Sequence, residues 1–188
     1  MPLEATLTHP RSGASLTVER ACRACALCEG RTQVVVWRGR LDGAVLFVGE
    51  GPGAQEDARG EPFVGRSGKL LDQWIQALGL GDDWCITNIV RCRPPDNRVP
   101  TRAEQDACWP HLEAFLRFVA PRQVVAVGAT SHKYLERKGV PHLTVRHPSY
   151  YVRGFGGDWR PEVAALRSRL EMSLAEGARP DAAKPPAR

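Results

Sequence analysis

The sequence predicts an α/β fold, a three-layer α/β/α sandwich around a mainly parallel central sheet. Three kinds of observation lead there. Short apolar runs at Ala44–Val48 (AVLFV), Trp84–Val90 (WCITNIV) and Gln123–Val127 (QVVAV) read as strands covered on both faces. Segments with helical apolar spacing alternate with them, from Ser67 to Leu78, from Thr101 to Val119 and from Pro161 onward. Glycine or a lone polar residue marks each strand exit, the place where parallel sheets bind ligands.

Taken in order, residues 1 to 13 carry two prolines and no periodicity, and are expected to be a flexible tail. Ala14 to Cys28 has room for a short helix, and the β-branched Thr32–Trp37 reads as a strand that neighbours AVLFV. Ser67 opens a helix whose Leu70, Leu71, Trp74, Ile75 and Leu78 share one face, and Gly79 closes it. Thr101 and Glu104 form a capping box for the next helix, with a kink or restart expected near Cys108–Pro110. After QVVAV come a short helix over Thr130–Arg137, a brief strand over Leu143–Val145 and a last helix from Pro161 with Val163, Leu166, Leu170 and Leu174 on one side. One domain is expected over 14–176, with 177–188 a second flexible tail.

Composition narrows the function. No run approaches a membrane span, and the N-terminus lacks the basic-then-apolar order of a signal peptide, so a cytoplasmic protein is expected; a monomer is also expected. Six cysteines in a reducing compartment favour thiols or metal ligands over disulfides. The formal net charge of +5 leans mildly toward a polyanionic partner.

The residues with chemistry lie at strand ends. Gly49-Glu50-Gly51-Pro52-Gly53 bends tightly, lets a ligand approach the peptide groups, and holds one carboxylate, Glu50. Asn88 is costly in a buried strand unless its donors and acceptors are used. Cys22, Cys25 and Cys28 form one thiol group, and Cys92 and Cys108 flank an arginine-rich loop. Four thiolates from the two groups suit either zinc or an iron-sulfur cluster, and spacing does not choose. Cys85, inside a strand, reads as core. Arg91, Arg93, Arg98, Arg102, Arg146 and Arg153 make a basic rim, either solvated or phosphate-binding.

GEGPG with Glu56-Asp57, Pro62-Phe63-Val64-Gly65, Thr87-Asn88, Cys92-Arg93-Pro94-Pro95 and His147-Pro148-Ser149-Tyr150, in that order, resemble the family 4 uracil-DNA glycosylases, the iron-sulfur branch of that superfamily. The resemblance implies excision of uracil from DNA. It also implies a structural 4Fe-4S cluster on Cys22, Cys25, Cys92 and Cys108, with Cys28 an extra thiol. It places Glu50, Gly51 and Glu56 along the uracil pocket, Phe63 on the base, Asn88 at its edge and His147 at O2, with Glu50, Asn88 and His147 catalytic. Glu56 beside C5 would exclude thymine. Uracil-containing DNA would be met by Pro52, Gly53, Arg91, Arg93, Arg98, Pro148, Ser149, Tyr150 and Arg153. Better-known relatives carry a water-activating Asp where this chain has Gly51, which makes Glu50 the first candidate for a general base.

Two rival readings explain less. A nucleotide- or sugar-phosphate-binding enzyme accounts for the Gly-rich loop but not for the cysteines, and GEGPG lacks both the GxGxxG spacing and the P-loop lysine. A non-catalytic zinc-bound nucleic-acid module leaves Glu50, Asn88 and His147 idle.

Overall fold

A computed structural model describes residues 4–176. Its centre is a five-stranded sheet in the order β3 (Arg38–Gly39), β5 (Trp84–Asn88), β4 (Val45–Gly49), β6 (Gln123–Val127), β7 (Leu143–Val145). All neighbours pair in parallel except β3, which runs antiparallel to β5. The expected sandwich is present, because alternate strand residues feed two cores. Leu46, Val48, Cys85, Val124 and Ala126 pack on one face against α4 (Arg102–Val119) and α5 (Ala129–Arg137). Val45, Phe47, Ile86, Val125 and Val127 pack on the other against α3 (Arg66–Leu78) and α7 (Arg160–Glu176). Each fully buried valine, leucine, isoleucine or phenylalanine among them contributes about 1.5–3 kcal/mol.

α3 is built as its spacing predicts: Leu71, Trp74, Ile75 and Leu78 form the buried stripe, and Gly79 closes the helix in the left-handed conformation. The Thr101–Glu104 capping box on α4 is reciprocal: the Thr101 hydroxyl accepts from the Glu104 amide, and the Glu104 carboxylate accepts from the Thr101 amide at 2.7 Å. The helix does not restart near Cys108–Pro110, and α4 is one continuous element through Pro110. A proline there costs about 3 kcal/mol; the cap and the burial of Leu112, Phe115 and Val119 offset it.

The first forty residues differ from expectation. Glu4–Thr8 is not a tail but strand β1, paired antiparallel with β2 (Ser15–Glu19). Leu7 and Val18 are buried against the α4 core, which gives the hairpin an apolar face to hold it. No helix spans Ala14–Cys28; one turn, α1 (Leu27–Gly30), follows β2. Thr32–Trp37 is not a strand, although Val34, Val35 and Val36 are buried. The amides of Thr32 and Gln33 donate to the Asp57 carboxylate and Val35 N–H to the Arg91 carbonyl, so side chains and one loop bond replace a ladder. The neighbour of β4 on that side is β5, not this segment. Residues 1–3 and 177–188 lie outside the described residues.

Between β4 and β5 the chain crosses the α3 face, whereas after β6 it crosses the α5 face. The carboxyl ends of β4 and β6 therefore part, and a crevice opens where open sheets bind ligands.

Candidate active site

A cleft of about 610 Å³ occupies that crevice. Its walls come from the loop after β4 (Glu50–Glu56), from Phe63–Ser67, from Pro94 and Asn97–Val99, from Val127–Thr130, and from His147, Ser149 and Arg153. α3 and α5, together with the shorter α2 (Ala54–Arg59) and α6 (Pro148–Val152), all begin at this cleft. Their positive dipole ends point toward it, while several amides at these starts are already taken, those of Gly53 and Gly65 by Glu56 and that of Ser149 by His147.

The strand ends lie next to this wall, at Phe63, and Asn88 itself lines not the cleft but a small separate space with Arg91 and His111. Gly49 and Asn88 are register partners across β4 and β5. A Cβ on Gly49 would lie 2.5 Å from both Asn88 Oδ1 and Phe63 Cε2, so only glycine allows the amide, the ring and the backbone to meet. Asn88 is 2% exposed, yet its Oδ1 has no hydrogen-bond partner among the described residues. A buried acceptor left unpaired costs about 1–3 kcal/mol. Phe63 sits at φ +55° and is 6% exposed. Its carbonyl would lie 1.8 Å from a Cβ on Gly68, so the first turn of α3 packs directly on the Phe63 backbone.

His147 faces the ring of Phe63, with centroids 5.8 Å apart. Gly128, at φ +96°, allows the close approach: a Cβ there would lie 3.1 Å from His147 Cβ. His147 caps α6, its Nδ1 accepting from the Ser149 amide at 3.1 Å. An accepting Nδ1 leaves the proton on Nε2, so the neutral ring is an Nε2–H donor. Burial, helped by the Arg153 charge and opposed by Glu56, pushes its pKa down to about 4.

The carboxylates divide the work. Glu56 accepts from the amides of Gly53, Val64 and Gly65, at 3.2, 2.9 and 2.8 Å, and so ties the Gly-rich loop to the Phe63 loop. Its oxygens brace backbone, which departs from the expectation of a side chain offered to a base. Glu50 lines the cleft with no side-chain hydrogen bond or ion pair among the described residues.

The basic rim needs correcting. Arg91 is buried at the cysteines, 8% exposed, and does not stand on the rim. Arg98 lines the cleft, but its guanidinium is bound by Glu104 at 2.6 and 2.8 Å, and it holds Glu104 down to about 2. Arg93 reaches Asn97 Oδ1 at 2.9 Å. Pro52 and Pro148 are buried, the first in the cleft wall and the second as the opening residue of α6. Arg153 is exposed at the cleft and has no side-chain partner among the described residues. The sequence reading missed Arg66 and Thr130, which enter the wall at the starts of α3 and α5; the capping positions after Gly65 and Gly128 were the available signal.

Behind the cleft, Cys22, Cys25, Cys92 and Cys108 line one enclosed space with Arg31, Arg91 and His111, while Cys28 lies outside its wall and Cys85 inside β5. None is in a disulfide. Burial raises Cys25 and Cys108 and pushes Cys92 up to about 11, against the pull of Arg31. Arg31 donates to Cys92 Sγ at 3.3 Å, and His111 Nε2 lies 3.4 Å from Cys22 Sγ.

Comparison with known proteins fits this geometry. The sequence model described as "Uracil DNA glycosylase superfamily" matches residues 37–169. A type-4 uracil-DNA glycosylase of Thermotoga maritima is 41% identical over 159 residues, 75% of this chain and 83% of the relative. One from Sulfurisphaera tokodaii is 44% identical over 120 residues, 63% of this chain and 54% of the relative. A solution structure from Methanosarcina acetivorans, provisionally described as a uracil DNA glycosylase, has the same fold with a TM-score of 0.53 at 14% identity, covering 73% of this chain and 97% of its own. No helix among the described residues is long and apolar enough to cross a membrane.

Proposed function

The chain belongs to the uracil DNA glycosylase superfamily, in its type-4 branch, and on that premise we propose that it flips uracil out of DNA and hydrolyses the N-glycosidic bond, leaving an abasic site. It acts as a monomer in the cytoplasm. The observation that carries the assignment of roles is that an unsatisfied acceptor, Asn88 Oδ1, and a neutral Nε2–H donor, His147, are both brought to the neighbourhood of the Phe63 ring.

Flipping a nucleotide costs roughly a few kcal/mol, which stacking and hydrogen bonds in the pocket offset. Phe63 supplies the stacking face. Asn88 Oδ1 accepts from uracil N3–H, and its amide group donates to O4. Cytosine presents the opposite polarity at both positions, which a buried amide rejects by about 10⁴. As the bond between the sugar and uracil N1 breaks, its electron pair leaves with the base and charge gathers on O2. The Nε2–H of His147 stabilises that charge, and such a donor is worth about 10²–10³ in rate. The sugar is left as an oxocarbenium ion. Water adds to its C1′ and gives up a proton, for which the unpartnered carboxylate of Glu50 is the acceptor. Arg66, Arg153 and the helix starts hold the flanking phosphates, and Ser149 and Tyr150 follow the minor groove.

The four cysteines suit a 4Fe-4S cluster. Four converging thiols, unpaired with one another and beside two arginines, are a donor set for a cationic metal centre. Such a cluster would tie the first cysteine segment to the Cys92 loop and α4. The decisive experiment incubates the purified protein with a labelled oligonucleotide carrying one uracil, followed by alkaline cleavage. Strand scission at uracil alone is expected; an intact strand overturns the proposal.

A further inference from the structure

We infer that Arg91 and Arg31 are the counter-ions of the four-cysteine site, neutralising the negative charge that the bound group and its thiolates place in the interior and governing how firmly that group is kept. The inference rests on the four-cysteine reading above.

Arg91 carries it. The residue is 8% exposed and lines the same enclosed space as Cys22, Cys25, Cys92 and Cys108. Its guanidinium has no hydrogen bond or ion pair among the described residues, whereas Arg11, Arg38, Arg40 and Arg98 all pair with carboxylates. A buried, unpaired cation is costly unless an anion lies beside it. Glu104 is taken by Arg98 and Asp57 by the amides of Thr32 and Gln33, and the exposed Glu19, whose carboxylate lies within 4.8 Å of Cys22 Sγ and a His111 ring nitrogen, makes no ion pair with Arg91. What remains beside Arg91 is sulfur. Four thiolates around a dicationic iron-sulfur core leave a net charge of about −2, and two arginines answer it.

Arg31 completes the arrangement by crossing between segments. It belongs to the stretch that carries Cys22 and Cys25, yet its NH1 donates to Cys92 Sγ, and its NH2 is held by the Arg20 carbonyl at 3.2 Å. Arg91, from the Cys92 segment, lies against Cys108 of α4. Donors and charges around metal-bound sulfur raise the reduction potential and slow metal loss. Arg91 therefore serves the cluster and not the DNA backbone.

The test uses the full chain purified anaerobically, with Arg91→Gln, Arg31→Gln and Arg91→Lys beside it. Both glutamine variants are expected to lose iron to a chelator about tenfold faster and to show a lower midpoint potential in a mediated titration. Arg91→Lys should recover most of both. The slope of DNA affinity against salt should be unchanged in Arg91→Gln and fall by about one in Arg153→Ala. Iron loss and potential unchanged in both glutamine variants, or a salt slope reduced in Arg91→Gln with iron retention intact, would overturn the inference and leave the four-cysteine reading standing. A wild-type protein without iron overturns both. If Arg91→Gln does not fold, Arg31→Gln decides alone, because its side chain is only partly buried.

Discussion

The base pocket and the cysteine site are both assembled from segments far apart in sequence, but they differ in how complete the protein leaves them. In the pocket, protein groups satisfy the supporting polar atoms: Glu56 takes three amides, the Ser149 amide fixes the tautomer of His147, and one acceptor, Asn88 Oδ1, is left open. At the cysteines the protein leaves more undone, with raised thiols and a buried arginine whose guanidinium has no partner among the described residues. A pocket that binds and releases a substrate must hold its shape alone. A site with a resident group can rely on that group for its last interactions.

The largest effect should come from the open acceptor. Asn88→Asp removes the donor to O4 and adds charge, so uracil excision is expected to fall by about 10³ or more while affinity for an abasic-site duplex changes little. Single-turnover kinetics and a binding isotherm measure the two. Loss of both in proportion would mean that Asn88 supports the fold and not the base.

Next in size is Cys108→Ser, which tests whether the cysteine site is the dependent one. A fall of roughly 10 °C in Tm, about 3–5 kcal/mol, is expected together with loss of iron. Glu56→Gln in the pocket should retain iron. An unchanged Tm in Cys108→Ser would remove the contrast between the regions.

The smallest effect sharpens the pocket side. His147 has a folded pKa of about 4 against an ordinary 6.5. Between those values the unfolded chain binds more protons than the folded one, so stability is held above about pH 6.5 and declines as pH falls toward 4. Ring NMR should show neutral, Nε2-protonated His147 at pH 6. A midpoint near 6.5 would show that the ring is solvated and not buried.

Much of this protein was legible in the chain. Alternating buried runs and amphipathic stretches, a Thr-x-x-Glu cap and a stop at Gly79 report local physics, and α3, α4, β4, β5 and β6 follow them closely. The hairpin was available too: Ala5 and Leu7 alternate opposite Leu16 and Val18 around His9–Gly13, although two prolines obscured the pattern. What tertiary structure decided is where side chains finish. Arg91 and Arg93 are two residues apart and equally basic, but one is sealed in with the cysteines while the other stands on the cleft loop. Glu50 and Glu56 differ in the same way, one open to the cleft and the other bound to backbone. Thr32–Trp37 has strand composition but finds Asp57 and a single loop carbonyl instead of a ladder. Periodicity and capping depend on neighbours within a turn or two and can be read along the chain. The partner of a buried charge or amide comes from a segment tens of residues away, and only folding selects it.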